Sequence, residues 1–281
     1  MLKQRIITAL LLLPVVIWVV LGSSHTLFAV VLSGVLLLGA WEWSRIAGIH
    51  QTTARLSYCL FTALVIASVS WLLHIDTELL LPILLSSGAW WLISFVWVLH
   101  FNRSPMSPAA SVGIQKIDMS AALVGIVILA GTFIGLIGLH DNYAQGPEMV
   151  LILLFLIWIA DSAAYFTGRK YGKHKLAIHV SPGKSWEGVA GAVIAICIAV
   201  LTVSFILKLN FQQQLSFLVI CLTTVGFSIL GDLTESMFKR RAGIKDSGQL
   251  LPGHGGIMDR IDSLTAAAPI FLLGLMLTGL P

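Results

Sequence analysis

The chain has 281 residues, of which 57% are hydrophobic and 11% are charged, whereas about 25% of the residues in an average soluble protein are charged. This composition excludes a water-soluble globular protein, because the polar residues are too few to cover the apolar ones. The formal net charge is +4, and the three cysteines show no CxxC spacing that would indicate a disulfide framework or a zinc site. The sequence therefore predicts an integral membrane protein.

Apolar segments long enough to cross a bilayer follow one another along the chain, since a spanning helix needs about 20 mostly apolar residues. We expect the first to be an uncleaved helix, because the Gly22-Ser23-Ser24 segment after it is a poor cleavage site. The second ends at Trp41-Glu42-Trp43, which we interpret as an interfacial aromatic belt. The fold class is an all-α membrane protein with about nine transmembrane helices. The predicted spans are 5–22, 26–41, 56–74, 79–99, 117–139, 149–168, 188–208, 213–231 and 264–280.

The distribution of lysine and arginine predicts the orientation, because these residues concentrate in cytoplasmic loops. With nine spans and a cytoplasmic N-terminus, every basic residue except Lys208 falls on the cytoplasmic side. The C-terminus is then expected on the opposite side. We treat 1–281 as one membrane domain, with about five spans in 1–150 and the catalytic helices and loops in 151–281. The cytoplasmic segments are the N-terminus, 42–55, 100–116, 169–187 and 232–263.

The last of these cytoplasmic loops carries two groups of carboxylates. Asp232, Glu235 and Ser236 have helical spacing, so they share a face if the eighth helix continues. Asp259 and Asp262 repeat the i, i+3 spacing before the ninth span. Oxygen ligands without a thiolate or histidine cluster suit Mg²⁺ or Mn²⁺. The alternative is that these acids only pair with neighbouring arginines at the membrane surface.

A glycine-rich turn, Pro252-Gly253-His254-Gly255-Gly256, lies between the two acidic groups. Its backbone lacks side-chain bulk and can bring N–H groups against phosphate oxygens. For His254 we favour a positioning role over a general acid or base, because a phosphate nucleophile is already ionised near neutral pH. Basic residues surround the turn and complete a predicted anion site: Lys239, Arg240, Lys245 and Arg260.

A second polar segment follows the sixth span. Asp161 lies inside that apolar span, and a carboxylate there is costly unless it serves a site or an internal partner. Gly183-Lys184-Ser185 resembles the end of a Walker A loop, but Ile178 replaces the required glycine, which excludes a P-loop. We interpret Ser181-Pro182 as a turn into a helix at 184–187 that could meet phosphate. The alternative is an ordinary interfacial loop anchored by Trp186.

These motifs resemble a known family. The segments Ser236-Met-Phe-Lys239-Arg240, Lys245-Asp246 and Pro252-Gly-His-Gly-Gly-Ile-Met-Asp-Arg-Ile-Asp262 are similar to the signature of the phosphatidate cytidylyltransferases, or CDP-diacylglycerol synthases. The segments 161–173 and 181–188 resemble the second cluster of that family. The resemblance is close from about 155 to 268, whereas the first 150 residues match mainly in hydropathy.

The resemblance implies a reaction in which CTP and phosphatidate give CDP-diacylglycerol and pyrophosphate with Mg²⁺. It leaves open a second cation, monovalent or divalent. It also implies a homodimer in the bacterial inner membrane, with the site facing the cytoplasm, membrane lipids around it and no nucleic-acid partner.

The resemblance further implies roles for individual residues. Asp232 and Asp259 are the expected metal ligands, with Asp262 and Asp246 as secondary ligands or orienting groups. The residues expected to bind the triphosphate or the lipid phosphate are Lys239, Arg240, Lys245 and Arg260. Those expected to contact the substrates or line the site are Asp161, Tyr165, Ser181, Lys184, Ser185, Trp186, His254, Gly255 and Gly256.

Two other functions stay open from the sequence. A secondary transporter would use the intramembrane Asp161, although transporters usually place ion ligands near the bilayer midplane. A related membrane enzyme would act on a different lipid, such as a polyprenol. The CDP-alcohol phosphotransferases are disfavoured, because their longer series of spaced aspartates is absent.

Overall fold

The computed structural model describes residues 2–103, 117–143, 145–206, 208–250 and 255–280, with side chains from residue 11 onward. Within these ranges the chain forms nine α-helices and one antiparallel β-hairpin. The helices are α1 Leu2–Gly22, α2 His25–Ile46, α3 Thr52–Ile75, α4 Leu80–Arg103, α5 Met119–Asn142, α6 Gly146–Tyr171, α7 Trp186–Ile206, α8 Phe211–Arg241 and α9 Met258–Thr278. A 3₁₀ turn, Thr77–Leu79, precedes α4, and the strands β1 Lys175–Ala177 and β2 Ser181–Ser185 lie between α6 and α7.

The length and apolar composition of these helices confirm the all-α membrane class. Eight of the described helices are long and apolar enough to cross a membrane, and α1 contributes a shorter apolar segment, Leu11–Gly22. Each predicted span therefore corresponds to one helix. The division at residue 150 falls inside α6.

The two helices that carry the acidic groups extend beyond their predicted spans. The eighth span was predicted to end at residue 231, but α8 has 31 residues and continues to Arg241. The ninth was predicted to begin at 264, but α9 begins at Met258. Hydropathy marks only the apolar part of a helix, so the polar turns at the end of α8 and at the start of α9 were assigned to a loop. The acidic residues therefore lie on rigid helices.

The interpretation of Trp41-Glu42-Trp43 as an interfacial belt is wrong for Trp43. The helix α2 continues to Ile46, and the Trp43 ring is fully buried. Its indole N–H donates a hydrogen bond of 2.7 Å to the carbonyl of Ala121, and its ring packs 5.7 Å from that of Phe238. This end of α2 is inside the helix bundle, so the position of Glu42 is also buried.

The predicted helix at 184–187 is wrong as well. Residues 181–185 form strand β2, and α7 begins only at Trp186. The helix start is set by Ser185, whose buried hydroxyl accepts a hydrogen bond from the backbone N–H of Gly188 at 3.1 Å. Ser185 therefore occupies the N-cap position of α7, and the predicted turn at Ser181-Pro182 is part of the strand.

Contacts between loops gather several helix ends at one end of the bundle. The backbone N–H of Asp118 donates to the carbonyl of Ala47 at 2.9 Å, and that of His179 donates to Asn102 Oδ1 at 3.0 Å. Arg241 Nη2 lies 2.7 Å from Asp118 Oδ2. We call this end the basic end; it holds the segment 47–51, the β1–β2 hairpin and the segment 242–250. The opposite end holds residues 23–24, 76–79, 141–143 and 208–210.

Glycines allow the central helices α5, α8 and α9 to approach closely. A Cβ atom on Gly231 of α8 would lie 2.5 Å from the carbonyl oxygen of Asp262 on α9. A Cβ atom on Gly135 of α5 would lie 2.6 Å from the backbone of Ala268. Small residues at such crossings are typical of membrane helix packing. This contact between α8 and α9 places the acidic turns of the two helices side by side.

Candidate active site

Five carboxylates from three helices meet at the basic end, and we call them the carboxylate cluster: Asp161 of α6, Asp232 and Glu235 of α8, and Asp259 and Asp262 of α9. Asp262 lies close enough to interact electrostatically with both Asp232 and Glu235. Glu235 also interacts with Asp259, and Asp161 with Asp232. The structure therefore brings together the two acidic groups that the sequence separates by more than twenty residues, and adds Asp161 to them.

Two lysines lie among these carboxylates. Lys184, on strand β2, places its Nζ 2.6 Å from Asp232 Oδ2. Lys239 places its Nζ 2.6 Å from Asp259 Oδ1 and 3.0 Å from Glu235 Oε2, and it is only 8% exposed. Buried charges of this kind depend on their partners, because removal of one leaves the other uncompensated. Lys239 thus ties α8 to α9, whereas Lys184 is half-buried and faces the site from the hairpin.

The cluster fits the Mg²⁺ that the sequence led us to expect. Among the described residues, the five carboxylates have two ammonium groups in close contact with them, those of Lys184 and Lys239. Glu235 Oε1 is buried and has no hydrogen-bond partner among the described residues. Hard divalent cations prefer such oxygen donors. Asp232 and Asp259 stay the predicted ligands, and a bound cation would compete with Lys184 and Lys239 for them.

Asp259 also holds the segment that precedes α9. Its Oδ2 accepts hydrogen bonds from the backbone N–H of Ser247 at 3.1 Å and from the N–H of Gly256 at 2.8 Å, and it lies 3.0 Å from the Ser247 hydroxyl oxygen. Gly255 has a φ of +84°, and a Cβ there would lie 2.8 Å from Asp259 Oδ2. The N–H of Gly256 therefore faces a carboxylate of the protein, and its phosphate contact stays a prediction. Pro252, Gly253 and His254 lie outside the described residues.

Glu42 is a buried residue of this region that the sequence analysis did not assign to the site. Its side chain is 2% exposed, and its Oε2 accepts hydrogen bonds from the Met258 N–H at 2.8 Å and the Ser247 hydroxyl at 2.9 Å. Neither Gly248 nor Gly256 has room for a Cβ atom beside the Glu42 carboxylate. Glu42 therefore fastens both the start of α9 and the segment before it to α2.

The other basic and acidic residues predicted for the site face outward. Lys245 and Asp246 are exposed, next to the fully buried Ser247. Arg240 is exposed at the end of α8, and its Nε donates a hydrogen bond of 3.3 Å to the backbone of the β1–β2 turn. Arg260 is exposed in the first turn of α9. Arg240, Lys245 and Arg260 are therefore exposed basic side chains on the same segments of the chain that carry or adjoin the cluster.

Two exposed aromatic residues lie close in the chain to residues of the site, Tyr165 one helical turn after Asp161 and Trp186 two residues after Lys184. Tyr165 is 58% exposed, and its hydroxyl lies 3.2 Å from Arg169 Nη1, while Trp186 is 59% exposed at the start of α7. Ser181 is half-buried, whereas Ser185 is buried and caps α7. The aromatic faces are free to stack on a nucleobase or to contact a lipid headgroup, and the substrate contacts of these residues stay predictions.

Comparison with known proteins agrees with this arrangement. A family model described as the cytidylyltransferase family matches residues 3–278. Proteins named phosphatidate cytidylyltransferase are similar along nearly the whole chain. The one from Pseudomonas aeruginosa is 41% identical over 271 residues, 96% of each chain. The one from Haemophilus influenzae is 37% identical over 289 residues, 96% of this chain and 97% of its own. From the fold, the site and this full-length match, the chain belongs to the cytidylyltransferase family.

Proposed function

We propose that the chain is a phosphatidate cytidylyltransferase, which converts CTP and phosphatidate into CDP-diacylglycerol and pyrophosphate. The observation that carries the proposal is the 41% identity, across 96% of both chains, to the Pseudomonas aeruginosa protein of that name. The carboxylate cluster supports it, since a polyphosphate reaction needs a site for a divalent cation together with basic side chains.

The proposed reaction is an in-line displacement at phosphorus. A non-bridging oxygen of the lipid phosphate attacks the α-phosphorus of CTP, and a new P–O bond forms. The bond from that phosphorus to the oxygen shared with the β-phosphate breaks, and pyrophosphate leaves with the electron pair. No base is required, because the lipid phosphate is already ionised near neutral pH. Catalysis then depends on position and on neutralisation of the negative charge.

The exposed basic residues are placed to bind the phosphates. We assign this role to Arg240, Lys245 and Arg260, and to Lys184, whose half-buried ammonium group faces the cluster. Lys239 has a different position, because its ammonium group lies between two carboxylates and is nearly inaccessible. Its proposed role is to hold the carboxylates in place.

Mg²⁺ is the proposed cofactor, with Asp232 and Asp259 as the residues that would hold it. Asp262, whose carboxylate interacts electrostatically with that of Asp232, and the exposed Asp246 are the proposed secondary or orienting groups. When bound, the ion would neutralise charge on the phosphate oxygens. The proposal leaves room for a second cation, monovalent or divalent.

We place the enzyme in the bacterial inner membrane with its basic end in the cytoplasm, where CTP is available. The concentration of lysine and arginine at that end supports this orientation. A homodimer is proposed from the family resemblance alone. Chemical cross-linking in native membranes, followed by measurement of the subunit mass, tests it.

The test of the proposed function uses purified protein in detergent with Mg²⁺, labelled CTP and phosphatidate. We expect labelled CDP-diacylglycerol and an equal amount of pyrophosphate. A polyprenyl phosphate, offered as the acceptor in parallel, tests the related lipid enzyme. If folded protein releases no pyrophosphate with phosphatidate, the proposal is wrong. If a product forms with the polyprenyl phosphate alone, the lipid substrate is a polyprenyl phosphate and not phosphatidate.

An Asp259→Asn variant tests the site. We expect activity to fall on the order of 100-fold, as is typical when a group that stabilises transition-state charge is removed. Asp76→Asn is the matched control, because Asp76 is exposed at the opposite end and should leave activity unchanged. Full activity in folded Asp259→Asn would exclude Asp259 from the active site.

A further inference from the structure

A second cluster of polar side chains lies at the opposite end of the bundle. His25 is the first residue of α2, and His140 and Asp141 lie in the last turn of α5. His25 Nδ1 is 2.6 Å from Asp141 Oδ1 and 2.9 Å from His140 Nδ1, and His140 Nδ1 is 3.1 Å from the same Asp141 oxygen. Because α2 rises 1.5 Å per residue, this cluster is about 26 Å from Glu42 at the basic end. It is therefore separate from the proposed active site.

Hydrogen bonds alone do not account for three atoms in mutual contact. If both Nδ1 atoms carry protons and donate to Asp141, the two N–H groups also face each other across 2.9 Å. If only His25 carries the proton, the lone pair of His140 Nδ1 faces the carboxylate oxygen at 3.1 Å. A cation between them would remove this conflict, because all three lone pairs would then point at positive charge.

The surroundings of His140 also suit metal binding. Its imidazole is 1% exposed and stacks on Phe28, with ring centroids 4.3 Å apart and planes 9° apart. Its Nε2 is buried without a hydrogen-bond partner among the described residues. In proteins the bond made by the second ring nitrogen usually fixes the tautomer. As a ligand, Nδ1 would leave the proton on Nε2, for which the described residues offer no acceptor, so what the surroundings of His140 contribute is a ring already held in place by stacking.

The donor atoms fit a first-row divalent metal ion better than Mg²⁺. Two imidazole nitrogens and one carboxylate oxygen suit zinc and its neighbours, whereas Mg²⁺ prefers oxygen ligands alone. Zinc bonds of about 2.0–2.1 Å in a tetrahedron separate the ligand atoms by about 3.3 Å. The observed separations of 2.6, 2.9 and 3.1 Å need to widen by roughly 0.2–0.7 Å to match this tetrahedron. The largest change is between His25 and Asp141, and His25, whose side chain is 65% exposed, has room to move.

We propose that His25, His140 and Asp141 form a binding site for a zinc-type divalent cation at the end of the protein opposite the active site. Three protein ligands leave a fourth position for water, which the exposure of His25 and Asp141 permits. A bound ion would link the start of α2 to the end of α5, which these three side chains bring together.

The first test measures zinc content. Purified full-length protein, with any polyhistidine tag removed, is stripped with a chelator and dialysed against Zn²⁺ in the presence of excess Mg²⁺. We expect wild type to retain about one zinc ion per chain more than His25→Ala, since this site has one set of three ligands. His74→Ala is the matched control, because His74 is an exposed histidine at the same end outside the cluster. It should retain as much zinc as wild type.

The second test measures thermal unfolding. Zn²⁺ should raise the midpoint for wild type and for His74→Ala but not for His25→Ala or Asp141→Asn, because only the native site binds the ion. Equal zinc content and equal midpoint shifts in folded wild type and His25→Ala would overturn the proposal. The three residues would then be only a polar contact between α2 and α5. Neither readout depends on cytidylyltransferase activity, so this proposal and the proposed function fail independently.

Discussion

Ser247 joins two carboxylates that come from distant parts of the chain. Its hydroxyl oxygen is 2.9 Å from Glu42 Oε2 and 3.0 Å from Asp259 Oδ2, and its backbone N–H donates to Asp259 as well. The hydroxyl has one proton, so it donates to one carboxylate at a time. The segment before α9 is thus fastened to both α2 and α9. Its position sets where the exposed Lys245 and Asp246 lie.

A Glu42→Gln variant tests whether this fastening matters for activity. The amide oxygen can take the place of Oε2 and keep the contacts to Ser247 and Met258. The N–H₂ group then replaces Oε1, which is buried without a partner among the described residues, so a buried donor loses its hydrogen bonds. We expect activity to fall about tenfold or more, because such a loss is worth about 1–3 kcal/mol. Steady-state assays of pyrophosphate release measure the effect. Glu148→Gln, at an exposed glutamate in the first turn of α6, is the control. Equal activity in the two variants would show that activity does not depend on the hydrogen bonds of Glu42 to the segment before α9.

Lys239 offers a second test at the scale of single residues. In Lys239→Met two carboxylates, Glu235 and Asp259, lose their shared cation, which in buried pairs costs about 3–5 kcal/mol. We expect a lower unfolding temperature in detergent and no activity. Adding Glu235→Gln removes one of the two uncompensated charges and should recover part of the stability without the activity. If the double variant is no more stable than Lys239→Met, charge balance is not what Lys239 supplies.

At the scale of helices, the sequence was sufficient for number and order but not for the polar ends. Long apolar runs predict spans because each must bury its backbone polar groups in a helix. The turns of α8 beyond residue 231 and of α9 before residue 264 are polar, so hydropathy missed them. The helical spacing of Asp232 and Glu235 did indicate that α8 continues, and the structure confirms it.

At the site, the sequence revealed some of the buried polar residues and missed others. Asp161 was found because a carboxylate within an apolar span is costly. The same reasoning applies to Glu42, but its two tryptophan neighbours favoured a belt at the membrane surface. Ser247 gave no signal, since its importance depends on a partner 205 residues away in the chain. Contacts between distant segments depend on helix packing, which hydropathy and residue spacing do not reveal.

The packing of α6 against α7 gives a test at the scale of helices. A Cβ atom on Gly191 would overlap the Thr167 side chain, including its Cβ, so the helices would have to separate. We expect Gly191→Ala to cost about 1–3 kcal/mol, the usual effect of overpacking. It should also lower activity, because α7 follows directly from strand β2 and Lys184. Thermal unfolding and pyrophosphate release measure the two effects.

Gly226→Ala is the matched control for this experiment. Gly226 lies within α8, and nothing is within 4 Å of the position of an added Cβ. The substitution should be neutral or stabilise by up to about 1 kcal/mol, since alanine favours helix over glycine. If Gly191→Ala behaves like Gly226→Ala, the close approach of α6 and α7 is not required.

For the whole molecule, the proposed orientation places the two ends in different compartments. A single cysteine at Lys245, which is exposed at the basic end, should react with a membrane-impermeant maleimide only after cells are permeabilised. A single cysteine at Asp76, exposed at the opposite end, should react in intact cells. The native Cys59, Cys197 and Cys221, which lie within membrane helices, are first replaced by alanine so that each variant has one cysteine. The reverse pattern would invert the proposed topology.

The length of α8 has a consequence for how the proposed reaction responds to its lipid. The helix is about 46 Å long, and Asp232 lies about 32 Å from its start, near the thickness of about 30 Å that the hydrocarbon layer has. The carboxylate cluster is therefore level with the lipid headgroups, and phosphatidate need not leave its leaflet to react. Phosphatidate therefore meets the enzyme by diffusion within the plane of the membrane, whereas CTP reaches it by diffusion through the solution. The rate should then follow the mole fraction of phosphatidate in the surface, so that adding an inert lipid slows turnover even when the bulk amount of every reactant is unchanged.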